Sequence, residues 1–201
     1  MKELESFEVV YHGPALDSPE ADNTHLIPAL AAIADLFTEV TTATNGRRIG
    51  LRVATESRPN VGAFHMVFTL SRAPRLPRHY TYASASSALA MPSVLAQLSL
   101  PKMSLIWFIR TLRGRAPCKV VDCGTYYNVG ITDTECVDVG ARTLRLWCNP
   151  RVRTSLETAL SPLHREGINT FSMLRDGNPW LTIHKDELDH FKADPHGEFD
   201  L

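Results

Sequence analysis

Hydrophobic and polar positions alternate along this chain with two periods. In SFEVVYHGP (6–14), Phe7, Val9 and Tyr11 share one side of a period of two and Gly13-Pro14 halts the run, which predicts a strand. A polar connector, ALDSPEADNTH (15–25), leads into LIPALAAIADLFTEVTTATNG, where Leu26, Leu30, Ile33, Phe37 and Val40 recur at helical spacing. Asn23 or Thr24 can cap that helix, Pro28 suits its first turn and Gly46 stops it. RRIGLRVATESRPNVGAFHMVFTL (47–70) returns to period two: Ile49, Leu51 and Val53, then Phe64, Met66, Phe68 and Leu70, with a Pro-Asn-x-Gly turn between. The first third therefore reads as β-α-β-β, with the helix laid on one face of a small sheet.

SRAPRLPRHYTYASASS (71–87) breaks both periods and reads as an irregular surface loop. ALAMPSVLAQLSLPKMSLIWFIRTLRGR (88–115) predicts two helical pieces interrupted near Pro92 and Pro101. The second piece buries Met103, Ile106, Trp107 and the stem of Arg110 and ends at Gly114. Between 118 and 148, KVVDCG, TYYNVGIT, ECVDVG and TLRLWC read as strands separated by glycines at 124, 130 and 140. Asn149-Pro150 then opens a helix, with Asn as cap and Pro in the first turn. Val152, Leu156, Ala159 and Leu163 form its apolar face, Pro162 shortens its last turn and Gly167 ends it. INTFSML and WLTIH make a hairpin across Asp176-Gly177-Asn178-Pro179, KDELDHFKA a short closing helix, and DPHGEFDL a frayed acidic tail. The expected fold class is α+β: a β-α-β-β unit over 1–70, a proline-rich loop and central helical segment over 71–117, and an α+β unit over 118–201 whose strands accompany a long helix and a short closing helix.

Composition narrows the function classes without choosing among them. The chain has 201 residues, 44% hydrophobic and 21% charged, the profile of a globular protein, and its net charge of −1 offers no global attraction for nucleic acid or anionic lipid. The opening MKELESFEVVYHG lacks the basic-then-apolar layout of a secretion signal, so the expected compartment is the reducing cytoplasm. The apolar stretch over 88–109 is interrupted by Pro92, Gln97, Pro101 and Lys102 and is too short to span a bilayer, so no transmembrane insertion is expected there.

Four cysteines, at 118, 123, 136 and 148, are spaced C-x4-C-x12-C-x11-C. A structural zinc site draws its thiolates from tighter knuckles, so they read as isolated thiols and no metal or cofactor is expected. The eight histidines form no H-E-x-x-H pair; His184 and His190 flank acids of what reads as a solvated closing helix. G-x-S-x-G, Walker and G-x-G-x-x-G motifs are absent, which leaves an enzyme possible only through a site assembled from distant residues.

Two features carry the functional reading. Arginines cluster at 72, 75 and 78, at 110, 113 and 115, and at 142, 145, 151 and 153. Converging clusters can grip phosphate by paired hydrogen bonds, and Tyr80 and Tyr82 can stack bases. Arg110, Arg113, Arg115, Arg142, Arg145, Tyr80 and Tyr82 are thus the candidate binding residues. LIWFIRTLRGRAP (105–117) reads as a helix apolar all round, which must be covered by the domain core or by a second protein; Leu105, Trp107 and Phe108 are its candidate interface residues.

Several patches also resemble, in order, a family of uncharacterised bacterial and prophage-type proteins. They are Phe7 to Leu16 (F-x-V-x-Y-x-G-x-x-L), the helix end Asn45-Gly46, the apolar helix running into Arg-Gly-Arg over Leu105 to Arg115, and Val152 to Ile168 (V-R-x-x-L-E-x-x-x-x-P-L-x-x-E-G-I). The proline-rich 71–82 segment departs from that pattern, as does the lack of a further C-terminal module associated with longer relatives. The resemblance implies no activity; it implies carriage on mobile elements and a role in phage–host conflict, including anti-defence. Taken together, the expectation is a non-catalytic interaction protein acting as a homo-oligomer on a host or defence component. Recognition of a nucleotide or nucleic-acid phosphate by the arginines is the alternative, and an enzyme with a dispersed site the third reading.

Overall fold

The computed structural model describes residues 3–17, 26–45, 51–60, 62–72, 98 and 103–192, with side chains for 6–17, 26–44, 62–68, 98 and 103–192. The strands are β1 (Glu3–His12), β2 (Leu51–Asn60), β3 (Ala63–Arg72), β4 (Lys119–Asp122), β5 (Tyr127–Gly130), β6 (Cys136–Val139), β7 (Thr170–Arg175) and β8 (Asn178–His184). The helices are α1 (Leu26–Asn45), α2 (Leu105–Leu112), α3 (Ala141–Cys148) and α4 (Pro150–Leu160), with short 3₁₀ turns after β1, α4 and β8. The fold is α+β, with one five-stranded and one three-stranded antiparallel sheet.

The large sheet has the order β2-β3-β1-β7-β8, so the first strand of the chain lies at its centre and joins strands from both ends of the sequence. Phe7 pairs with Phe68 and Val9 with Met66 on one side, and Val9 pairs with Met173 and Tyr11 with Phe171 on the other. The alternation predicted for Phe7, Val9 and Tyr11 therefore continues across strands into a single apolar face. α1 and α4 cover it. The Phe7 ring meets Phe37 at 4.7 Å, and Ile33, Leu36, Phe37 and Val40 of α1 are all buried there. Burying a side chain of this size stabilises the fold by about 1.5–3 kcal/mol. Over Leu26–Thr44, at mean hydropathy 1.4, α1 also has the length and apolar content to cross a membrane, but its apolar side lies in this core. The caps expected at Asn23, Thr24 and Gly46 lie outside the described residues, as do Tyr80, Tyr82 and nearly all of the predicted helical piece around Pro92.

The segments Phe7–Leu16 and Val152–Ile168 meet in space. A Cβ on Gly13 would lie 2.0 Å from the Gly167 carbonyl oxygen, and one on Gly167 would press the Ala15 side chain at 2.8 Å. The Ala15 amide donates to the Gly167 carbonyl at 3.0 Å, and the Asn169 amide to that of His12 at 2.8 Å. Glycine at both positions is thus a condition for two backbones to touch. Tyr11 joins the same two patches, its hydroxyl donating to the Ala159 carbonyl at 2.8 Å.

One predicted element is corrected. TLRLWC is not a strand but most of α3. Thr143, Leu144, Leu146 and Trp147 are buried, the spacing of a helix face, although Leu144, Leu146 and Cys148 alternate in the letters; Asn149 closes α3 while capping α4. Several described elements follow expectation: Asn149 Oδ1 accepts from the amides of Arg151 and Val152, α4 stops at Leu160 before Pro162, and Asp176 and Gly177, both at positive φ, turn β7 into β8. The closing segment Lys185–Phe191 is a 3₁₀ helix rather than an α-helix.

Tyr11→Phe removes one buried hydrogen bond and little volume. It should lower unfolding free energy by about 1 kcal/mol with the fold retained, while Tyr11→Ala should cost about 3–5 kcal/mol; urea denaturation checks both.

Candidate functional site: an arginine-lined groove and its end recess

α2 begins where the buried Ser104 hydroxyl accepts from the Trp107 amide at 3.3 Å. Leu105, Ile106, Phe108, Ile109 and Leu112 turn inward, while Trp107, Arg110 and Thr111 are half-buried on the other side. The helix is amphipathic and not apolar all round. Leu105 and Phe108, expected as interface residues, are both 0% exposed, and Phe108 packs edge-on against Trp147 at 5.8 Å. The chain's own core covers them, and neither presents a surface for a second protein. Trp107 does retain an exposed part.

The helix ends in two successive left-handed residues, Arg113 (φ 51°) and Gly114 (φ 72°). A Cβ on Gly114 would sit 2.9 Å from the Asp189 carbonyl oxygen, so the backbone passes directly against the closing 3₁₀ helix. This turn sends Arg113 and Arg115 out to solvent on the same side as Trp107. Opposite stands the β5–β6 hairpin, whose Thr132 hydroxyl accepts from the Glu135 amide at 3.0 Å while the Ile131 amide donates to the Glu135 carbonyl at 2.8 Å. Between helix and hairpin lies an open groove of about 710 Å³, lined by Trp107, Arg110, Thr111, Arg113 and Arg115 on one wall and by Ile131 and Thr134 to Val137 on the other.

Arg110 has a structural role within that wall. Its Nε donates to Glu187 Oε1 at 2.6 Å, and its Nη2 donates to Glu187 Oε2 at 3.0 Å and to the Thr182 carbonyl at 2.5 Å. The pair ties α2 to β8 and the closing helix. Burial alone would raise the Glu187 pKa, but the Arg110 hydrogen bonds, the His184 amide and the nearby positive charge together hold it below the ordinary carboxylate range. Arg113 and Arg115 carry the groove's exposed positive charge, with the exposed Glu135 on the opposite wall.

Arg115 also borders a second, smaller space at the groove's end, a recess of about 30 Å³ between α2, α4 and the closing helix. Its polar lining is Arg115, Arg153, His190 and Lys192, beside Trp147. The Arg153 guanidinium lies 5.5 Å from the centre of the Trp147 ring, and Lys192 pairs with Asp189 at 2.7 Å. His190 and Lys192 were not singled out in the sequence as binding residues, because nothing local shows that residues 190–192 fold back onto 115. Arg142 and Arg145 are exposed on α3 and line neither the groove nor the recess. The third arginine cluster is thus divided: Arg151 pairs with Glu39 at 3.5 Å, and Arg153 faces the recess.

The cysteines are free thiols: Cys118, Cys123 and Cys136 are exposed on the small sheet and Cys148 is half-buried, its pKa raised by burial against an opposing pull from Arg153. Among the described residues no group of three or more His, Cys, Asp or Glu side chains is placed to hold a metal ion. On the sheet face opposite Phe7 and Val9, His65 and Glu8 approach to 3.7 Å, and burial, followed by the charge of His65, lowers the His12 pKa. No family model, curated protein or solved structure matches the chain.

A carboxylate with a depressed pKa stabilises the fold above its ordinary pKa and loses that contribution as pH falls through the depressed value. Glu187→Gln should therefore destabilise the protein at neutral pH and flatten the loss of stability on acidification to about pH 3, as followed by urea unfolding across pH.

Proposed function

We propose that this chain is a non-catalytic binding protein that holds a nucleotide, free or at the end of a strand, in the groove between α2 and the β5–β6 hairpin. The observation that carries the reading is the convergence of Trp107, Arg113 and Arg115 on one groove whose volume, about 710 Å³, is that of a small-ligand site. An aromatic ring with an exposed part can stack a base, and two guanidiniums lining the same groove, six and eight residues further along the chain, can hold its phosphate by paired hydrogen bonds. Among the described residues no acid pairs with Arg113 or Arg115; Glu135 stands on the hairpin wall of the groove. Because Leu105 and Phe108 lie inside the core, burial of α2 needs no second protein. A chain of this kind, cytoplasmic and carried on a mobile element as the resemblance implies, would act by withholding a nucleotide or strand end from a host or defence component.

Titration of the protein with a short single-stranded oligonucleotide should quench tryptophan fluorescence and give a dissociation constant that weakens with salt. Arg113→Ala should weaken binding about tenfold and lower the salt slope by roughly one ion. Trp107→Ala should weaken binding by a comparable factor without changing that slope. Binding that is indifferent to both substitutions places the ligand elsewhere.

A further inference from the structure

The outer face of the small sheet holds a pair of thiols that the groove reading does not use. Cys118 and Lys119 both stand opposite the single residue Gly130: Lys119 is its register partner, and the Cys118 amide donates to its carbonyl at 2.9 Å. Two residues facing one is the arrangement of a β-bulge, which interrupts the alternation of side chains and re-aims one of them. The effect is visible at Gly130, where a Cβ would lie 2.8 Å from Cys118 Sγ and 3.5 Å from the Lys119 Cβ. The Cys118 sulfur thus takes the room that a side chain at 130 would fill, and its thiol donates to the Thr132 carbonyl at 3.5 Å. On the other side of Gly130 stands Cys136, its register partner in β6. Directly paired residues put their side chains on one face. Two residues along that face, Asn128 Nδ2 bonds Asp138 Oδ1 at 2.9 Å across the same two strands. The Cβ of Cys136 therefore stands about 4.5–5.5 Å from the point that a Gly130 Cβ would occupy. Cys118 and Cys136 flank that point, both exposed and both lining one surface hollow of about 370 Å³.

We infer that Cys118 and Cys136 form a two-thiolate site for a soft cation of the copper(I) or silver(I) class. Three features select the ligand. The pair is unsuited to a disulfide: strands two apart lie roughly 10 Å from each other, beyond the ~7 Å that a disulfide spans between Cα atoms. A single ion bridges what the disulfide cannot. Two thiolates bound in line stand about 4.6 Å apart at ~2.3 Å per metal–sulfur bond, and rotation of the two side chains over Gly130 closes that span. Zinc ordinarily takes four ligands, and among the described residues no group of three or more His, Cys, Asp or Glu side chains is placed to hold an ion. Copper(I) is served by two, and soft thiolates favour it. Binding forms two metal–sulfur bonds, releases both thiol protons to solvent and moves no electron. The site is independent of the nucleotide reading of the groove.

The test titrates the reduced full chain, without oxygen, against copper(I) buffered by the coloured chelator bicinchoninate. The chain should withdraw one copper(I), and Cys118→Ser, Cys136→Ser and Gly130→Val should each hold it at least ~10-fold more weakly. Gly130→Val is the diagnostic variant. It keeps both thiols and adds a strand-favouring residue, but its side chain fills the space that the Cys118 sulfur occupies. Thiol titration should still count all four cysteines in it, and circular dichroism should show each variant folded. Cys123→Ser and Cys148→Ser should leave the affinity within ~2-fold. Failure to withdraw copper(I), an affinity that survives either serine substitution at 118 or 136, or one that Gly130→Val leaves unchanged overturns the site. If Gly130→Val does not fold, the serine variants decide alone.

Discussion

β1 hydrogen-bonds along both of its edges, to β3 from the first half of the chain and to β7 from the second, so the large sheet closes only when residues far apart in sequence are brought together. The rest of the molecule depends on that double pairing. The apolar face of β1 positions α1 and α4, which pack together above it, and α4 carries Arg153 to the recess. The β7–β8 hairpin that pairs with β1 leads directly into the closing helix, which bears Glu187, His190 and Lys192. The walls of the recess are therefore held in place through the central strand.

The second constraint is local. Arg113-Gly114 in the left-handed conformation redirects the backbone at the end of α2, and the absence of a Cβ on Gly114 lets it rest against Asp189. The Arg110–Glu187 pair fixes the same junction from the side-chain direction. One Arg-Gly-Arg tripeptide thus ends a helix, turns the chain and delivers two cations to solvent. The Gly13–Gly167 contact shows the same economy: two glycines stand where a side chain would collide with the facing chain. Packing explains those two glycines, whereas the Arg113 and Arg115 side chains are exposed.

Two expectations failed for related reasons. LIWFIRT contains so many apolar letters that the helix looked apolar on every side, yet its polar side is formed by Arg110 and Thr111, with Trp107 half-exposed between core and groove. In TLRLWC, the letters Leu144, Leu146 and Cys148 alternate as a strand would, yet the buried set Thr143, Leu144, Leu146 and Trp147 follows helical spacing. Short apolar segments leave the period ambiguous, and the neighbours that bury them settle it.

From sequence alone, the chain determined its long elements: β1, α1, the β2–β3 and β7–β8 hairpins and α4 with its Asn149 cap, because these rest on periodicity, capping and turn chemistry acting within a few residues. It also marked Arg113, Arg115 and Trp107, which are close in sequence and so remain close in space. Only the tertiary structure decided that Arg110 serves Glu187, that Leu105 and Phe108 face inward, and that Arg153 and His190 share a recess with Arg115. Those outcomes depend on which residues distant in sequence share a surface, and that is set by the pairing of β1 with both halves of the chain.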